Sequence, residues 1–278
     1  MRTIYEPKGR AREYAPYAIN LWQNCEMGCK YCFAPSIARK SRADYLVPKI
    51  REGILGALEK AIPKFKGKGP VLLSFMSDCY PKCEKDVRLT HDAIRMMGEG
   101  GVKMRLLTKA PRRALELDAG LLVKHKVDFG TSLVFIDDEM RKEWEPNAET
   151  VESRLLALRE AKELGLTTWV SMEPVIDPAQ ALAVIDAVGR LGYVDRWMVS
   201  KVNHNKELEA KVEEEYGWAK FARNACAKLT EYGANYAVKL DLWDLADEET
   251  KKVFPRASMN VLDIVNGVPD IEETMIDG

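Results

Sequence analysis

Apolar positions along the chain fall into short, nearly continuous runs separated by stretches of helical period. Tyr17–Gln23 (YAINLWQ) predicts a first strand. Pro48–Ile62 predicts a helix, with Ile50, Ile54, Leu55, Leu58 and Ile62 on one face. Gly67–Pro70 marks a turn, and Val71–Met76 (VLLSFM) reads as a strand buried on both sides. A helix over Asp86–Gly98, a strand over Val102–Leu107, a short helix over Arg112–Asp118 and a strand over Asp128–Val134 follow. Asn147–Leu164 gives the clearest helical pattern, with Gly165 placed to stop it. Thr167–Met172 is expected as a strand, Pro178–Leu191 as a helix and Trp197–Ser200 as a strand. A charged helix near Lys206–Tyr232 and a short strand near Tyr236–Leu240 close the series, and the tail after Asp263 is polar.

Strand and helix thus alternate about six times, which implies βαβ units and a parallel sheet. Such sheets gather chemistry at the C-terminal ends of their strands. The chain is expected to be a single domain over its 278 residues, with a core at about 17–200 and an extension at about 201–278.

Composition narrows the classes. The chain has no run apolar enough to span a membrane and no apolar leader, so a cytoplasmic location is expected. Lys and Arg number 42 against 43 Asp and Glu, for a net charge of −1. A protein gripping duplex DNA through its phosphates usually carries a basic excess. A local basic patch at Arg39, Lys40 and Arg42 reads more simply as a solvated face.

The cysteines change the picture most. Cys25, Cys29 and Cys32 form a C-x₃-C-x₂-C loop directly after the first strand. Three thiolates at this spacing can hold three corners of a [4Fe–4S] cubane, leaving one iron open to a chelating ligand. Gly28 lets the loop turn tightly. A structural zinc site wants four ligands, and no second Cys or His pair accompanies these three, with only His91, His125 and His204 in the chain. Cys79 and Cys83 form a further C-x₃-C after the second strand. They admit three readings: a thiol that donates or relays hydrogen, a second cluster or metal site completed by Cys226, or small packing residues.

With Tyr31 before its last cysteine, the loop resembles that of the radical S-adenosylmethionine (SAM) superfamily. The order of later segments resembles the branch that contains spore photoproduct lyase. The matching segments are Asn20–Ser36, Ser74–Glu84, Leu106–Pro111, Thr131–Ile136, the Glu145–Pro146 and Arg154 region, and Glu173–Pro178. The resemblance implies a partial (β/α)₆ barrel, a [4Fe–4S] cluster on Cys25, Cys29 and Cys32, and SAM chelating the open iron. Reductive cleavage of SAM would yield a 5′-deoxyadenosyl radical that abstracts hydrogen from a substrate, with the cofactors supplying the hard chemistry. It further implies a flavodoxin- or ferredoxin-type electron donor.

By the same resemblance and by strand-end placement, Tyr31, Phe33, Ser77, Asp78, Lys109, Ser132 and Glu173 are expected to bind the cofactor. Ser77 and Asp78 suit the SAM amino group, and Lys109 its carboxylate. Cys79 and Tyr80 are the candidates for catalysis, and Lys201, Asn203 and His204 for the substrate side. Trp22, Tyr80, Trp144, Trp169 and Trp197 are either core residues or stacking surfaces for a base. In spore photoproduct lyase a hydrogen-donor cysteine precedes the Ser/Thr-Asp pair. Met76 stands at that place here. A nucleobase or nucleic-acid component is the expected substrate class, with a peptide or small metabolite as the rival. A non-catalytic iron–sulfur or zinc module for regulation or electron transfer is the alternative outside enzymes.

Overall fold

The computed structural model describes residues 3–254, in which one eight-stranded sheet carries the architecture. The strands are β1 (Ile4–Tyr5), β2 (Tyr17–Ile19), β3 (Trp22–Gln23), β4 (Lys49–Ile50), β5 (Val71–Leu73), β6 (Met104–Thr108), β7 (Asp128–Ser132), β8 (Thr168–Met172), β9 (Arg196–Val199) and β10 (Tyr236–Val238). The main sheet runs β1-β2-β5-β6-β7-β8-β9-β10, and β3 pairs with β4 as a separate ribbon. From β2 to β10 every pairing in the main sheet is parallel, and β1 lies antiparallel on the edge.

Alternation along each strand separates an inner from an outer face. Val71, Leu73, Met104, Leu106 and Phe129 pack outward against Ile54, Leu58, Ile94 and Ala114 of the covering helices. Val170, Met172, Trp197 and Val199 do the same against the helices Pro178–Val188 and Trp218–Glu231. Inward, Leu72, Trp169, Met198 and Ala237 meet Ala18 and Tyr14 in one cluster. That cluster joins strands from both ends of the sheet, so the sheet is curled into an open barrel. Gly130 makes room for it, because a Cβ there would lie 2.1 Å from the Trp169 ring. Below this layer, Asp128 Oδ2 accepts from Arg105 Nη2 at 3.0 Å and from Arg196 Nη1 at 3.1 Å, which seals the N-terminal end. The C-terminal end is left open for a site.

Several boundaries differ from the pattern-based expectation. The first strand is split into β2 and β3. The helix expected from Pro48 starts at Ile54, after Gly53 in the left-handed region (φ 68°). Ile50 instead pairs with Trp22 in the ribbon. The strand at Val71 ends at Leu73, because Asn20 Oδ1 takes the backbone N–H groups of Phe75 and Met76 at 3.1 and 3.0 Å. The helix after β6 runs Pro111–Lys124, well past Asp118. Lys206–Tyr232 is two helices, Lys206–Glu215 and Trp218–Glu231, broken at Gly217 (φ 88°). The helix expected from Asn147 begins at Val151, where Thr150 Oγ1 accepts from Ser153 N at 3.1 Å. Asp138–Trp144 forms a helix that the periodicity did not indicate. The tail after Asp263 lies outside the described residues.

Candidate cofactor and substrate cavity

A cavity of about 240 Å³ opens at the C-terminal ends of the parallel strands. Cys25, Cys29 and Cys32 line one wall together with Met27, Tyr31 and Phe33. The backbone holds this loop in place. Cys25 N donates to Tyr45 O at 2.8 Å, Lys30 N to Trp144 O at 2.9 Å, and Asn147 Nδ2 to Glu26 O at 2.7 Å. From outside, Arg42 donates to the carbonyls of Cys29 at 3.0 Å and Lys30 at 2.7 Å. Gly28 has φ 68°, and a Cβ there would press to 3.1 Å from Leu46 Cδ2 and 3.3 Å from Asn147 Nδ2. Both the conformation and the space therefore call for glycine.

Behind the loop lies a buried ionic group. Glu145 accepts from Arg154 Nη2 at 2.6 Å and from the Tyr31 hydroxyl, and Lys109 Nζ stands 3.7 Å away. Burial works against the Glu145 charge, but Arg154 and Lys109 outweigh it and hold the carboxyl below its ordinary value. Burial opposes the Lys109 charge too, and Glu145 and Cys29 outweigh it, so its pKa lies above the usual lysine value. The Tyr31 phenol is pushed well up by burial and by the neighbouring Cys29 and Glu145.

The thiols fit a cluster on the chemistry of the donor set. Burial pushes Cys25 up strongly, with Asp78 adding to it, and pushes Cys29 up to about 12 against the pull of Lys109. Metal ligation needs thiolates, so cationic iron is the partner that would offset this burial. The Asp78 backbone N–H already points at Cys25 Sγ, at 3.3 Å. Among the described residues no three Cys, His, Asp or Glu side chains converge to hold a single ion. A cubane needs no such convergence, since each cysteine takes its own iron.

Ser77, Asp78, Lys109, Ser132 and Glu173 all line the cavity, as do Asn203 and His204. Asp78 is fixed by Thr108 Oγ1 at 2.7 Å, Tyr80 N at 2.9 Å and Lys109 N at 2.7 Å. The Ser77 hydroxyl donates to Trp22 O at 2.9 Å. Met76 lines the cavity beside them. Phe33 packs on the His204 ring at 4.5 Å between centroids.

The wall opposite the cysteines is a polar network. Glu173 accepts from Lys239 Nζ at 2.8 and 2.9 Å, from Asn203 Nδ2 at 3.1 Å and from the Tyr14 hydroxyl. Ser171 Oγ lies 2.8 Å from the Tyr14 oxygen. Asn203 Nδ2 also donates to Asp241 Oδ2 at 2.7 Å, and Arg10 reaches Asn203 and Asp241. Burial, then Glu173, raise the Tyr14 phenol well above its ordinary value, so it stays a donor.

Some candidates are not brought here. The Cys79 thiol is buried against the carbonyls of Leu73 and Leu107, at 3.7 and 3.8 Å, and does not line the cavity. Tyr80 points away from the cavity too, donating to buried Asp118 at 2.9 Å. The bent segment after β5 lines the cavity from Ser74 to Asp78 and carries the next two side chains into the packing. Cys226 lies in the core beside Trp218–Glu231, and Cys79 and Cys83 in that beside β5, so the three do not assemble a second metal site. Lys201 pairs with Glu209 outside the cavity lining. Trp22, Trp169 and Trp197 are buried packing residues, and the aromatic side chains facing the cavity are Tyr14, Tyr31, Phe33 and Phe75.

Sequence reasoning missed Tyr14, Lys239 and Asp241. Lys239 falls inside the strand expected near Tyr236–Leu240, and only the observed end of β10 at Val238 puts it at a strand end. Tyr14 precedes the first parallel strand in a stretch without a motif, and nothing local signals it.

A parallel open barrel with three cysteines at its mouth defines a radical SAM protein. A family model of the radical SAM superfamily matches residues 19–194, and the chain belongs to that superfamily, whose members use a [4Fe–4S] cluster and SAM. An uncharacterised protein of Methanocaldococcus jannaschii is 26% identical over 167 residues, 58% of this chain and 61% of the relative. An uncharacterised protein of Acidianus two-tailed virus is 24% identical over 192 residues, 63% of this chain and 62% of the relative. The chain thus spans less than two thirds of the length of these relatives. Among solved structures, a spore photoproduct lyase variant with bound AdoMet and dinucleoside spore photoproduct superposes with TM-score 0.59. It shares 17% identity, covering 84% of this chain and 78% of that one. Streptococcus suis SuiB bound to SAM gives TM-score 0.58 at 16% identity, covering 86% and 55%. These likenesses establish the fold. Among the described residues no helix is long and apolar enough to cross a membrane.

Proposed function

We propose that this chain is a radical SAM enzyme that cleaves SAM reductively and uses the resulting radical to take hydrogen from a nucleobase or nucleic-acid component. The observation that carries the reading is the placement of Cys25, Cys29 and Cys32 on one wall of a cavity that Asp78, Lys109 and Glu173 also line. Cys25, Cys29 and Cys32 would hold a [4Fe–4S] cluster with one iron left open, and that group would supply the one-electron reduction that cleaves SAM.

The chain's own residues bind, orient and exclude water. Cys25, Cys29 and Cys32 hold the cluster. Asp78 and Ser77 present polar atoms to an ammonium group, with Asp78 fixed in place by Thr108 and the Lys109 backbone. Lys109 faces a carboxylate while anchored by Glu145, and Ser132 and Glu173 offer acceptors to a ribose. Met27, Phe33, Phe75 and Tyr31 give the cavity an apolar lining that excludes water. The substrate class comes by analogy with the dinucleoside held by the structural neighbour. The net charge of −1 favours a small or single-stranded substrate over a gripped duplex.

Anaerobic reconstitution tests the reading. It should yield about four iron and four sulfide per chain, and 5′-deoxyadenosine that depends on both SAM and dithionite. Stoichiometric zinc, or a loaded cluster that leaves SAM intact, overturns it in favour of a non-catalytic module. Screening single-stranded oligonucleotides against peptides, with deuterium transfer into 5′-deoxyadenosine as readout, separates the substrate classes.

A further inference from the structure

The outer side of the cysteine loop carries a surface the mechanism does not use. Eleven large aliphatic side chains are exposed among the described residues, and four of them, Ile37, Leu46, Val47 and Ile50, fall within one short segment over this loop. Ile37 and Val47 are the most open, at 60% and 56%. Residues 30–52 carry six basic side chains, Lys30, Arg39, Lys40, Arg42, Lys49 and Arg51, against two acidic ones, Asp44 and Glu52. The stretch therefore has a net charge of +4 in a chain of net −1.

The segment is one surface and is attached to the cluster ligands. Asn24 joins it, donating to Asp44 O at 3.1 Å and Val47 O at 2.8 Å and accepting from Lys40 Nζ at 2.6 Å. Arg42 bonds the carbonyls of Cys29 and Lys30 directly. Leu46 touches the loop at Gly28. Arg39 and Lys49 make no side-chain hydrogen bond or ion pair among the described residues, so their charge is available to a partner. Aliphatic side chains ringed by cations suit an acidic protein. A nucleic-acid strand would meet the same cations, but it stacks its bases on aromatic faces, and the exposed apolar side chains here are aliphatic.

We propose that this patch docks a small acidic one-electron donor protein of low potential, of the flavodoxin or ferredoxin type. The proposal rests on the radical SAM reading. Each encounter oxidises the donor by one electron and reduces the cluster by one. The donor approaches from outside, past Arg42 and Leu46, while SAM and substrate occupy the cavity on the inner side. Charge complementarity of this kind raises encounter rates by about ten-fold to a thousand-fold and fades with added salt.

The test compares two reductants on the reconstituted full chain. The triple variant Arg39→Glu, Val47→Asp, Lys49→Glu should keep its iron and its dithionite-driven 5′-deoxyadenosine formation, since dithionite needs no docking surface. With reduced flavodoxin or ferredoxin at low salt it should lose about ten-fold or more, and the native rate should fall as salt rises. Equal donor-driven rates in native and variant protein overturn the proposal, as does a native protein that turns over with dithionite but with neither donor. Loss of single-stranded oligonucleotide binding with donor-driven turnover intact also overturns it, and assigns the patch to nucleic acid. Should SAM cleavage itself be absent, the radical SAM reading fails. Calorimetric binding of the oxidised donor to native and variant protein then still decides the patch, with equal binding counting against it.

Discussion

The two facing walls of the cavity are built by opposite means. The cysteine wall comes from one continuous loop, Cys25 to Phe33, pinned by backbone hydrogen bonds and by Arg42. The facing wall is assembled from Tyr14, Glu173, Asn203, Lys239 and Asp241, which the barrel draws together from distant parts of the chain. The first needs local spacing and a turn. The second needs the whole sheet closed to the right curvature.

Substitutions can break or sharpen this contrast. The largest effect is expected on the loop: replacing Cys25, Cys29 and Cys32 by alanine should remove all iron, measured by iron and sulfide analysis, with SAM cleavage falling below detection. Iron retained by that variant would reveal a second site elsewhere. Next comes the buried pair behind the loop. Arg154→Met leaves the buried Glu145 carboxylate to Lys109 and Tyr31 alone and should cost about 3 kcal/mol, read by denaturant unfolding of the apoprotein. On the facing wall, Lys239→Met leaves Glu173 without its cation and should cost about 2–3 kcal/mol while iron loading stays at the native level. Loss of the cluster in that variant would show that the walls are not independent. Gly28→Ala should cost about 1–2 kcal/mol from the left-handed backbone alone and lower cluster loading, because its Cβ presses on Leu46 and Asn147. Tyr14→Phe should be the mildest, about 1 kcal/mol for the lost hydrogen bonds to Glu173 and Ser171, again with full iron loading.

The contrast also accounts for what could be read from the chain. Continuous apolar runs such as Val71–Leu73 and Thr168–Met172 revealed the parallel strands, because both faces of those strands are covered. Helix ends were less legible. Gly53 and Gly217 break helical patterns through backbone conformations that apolar spacing does not register. Cys79 and Tyr80 sat at a strand end with plausible chemistry, yet the bent segment after β5 sends them into the packing and keeps Ser77 and Asp78 on the cavity.

The amino-acid order by itself determined the three-cysteine loop, the repeating strand–helix architecture and the placement of Asp78, Lys109 and Glu173 near strand ends, since spacing and periodicity are local quantities. Tertiary structure alone decided three things. It placed Lys239 and Tyr14 on Glu173, buried Arg154 against Glu145 behind Tyr31, and gathered Ile37, Val47 and their basic neighbours over the outside of the cysteine loop. Each of these depends on how far the sheet curls and which way each strand's side chains face. That is settled by packing Trp169 over Gly130 in the barrel's interior, a contact between residues on neighbouring strands that no local pattern records.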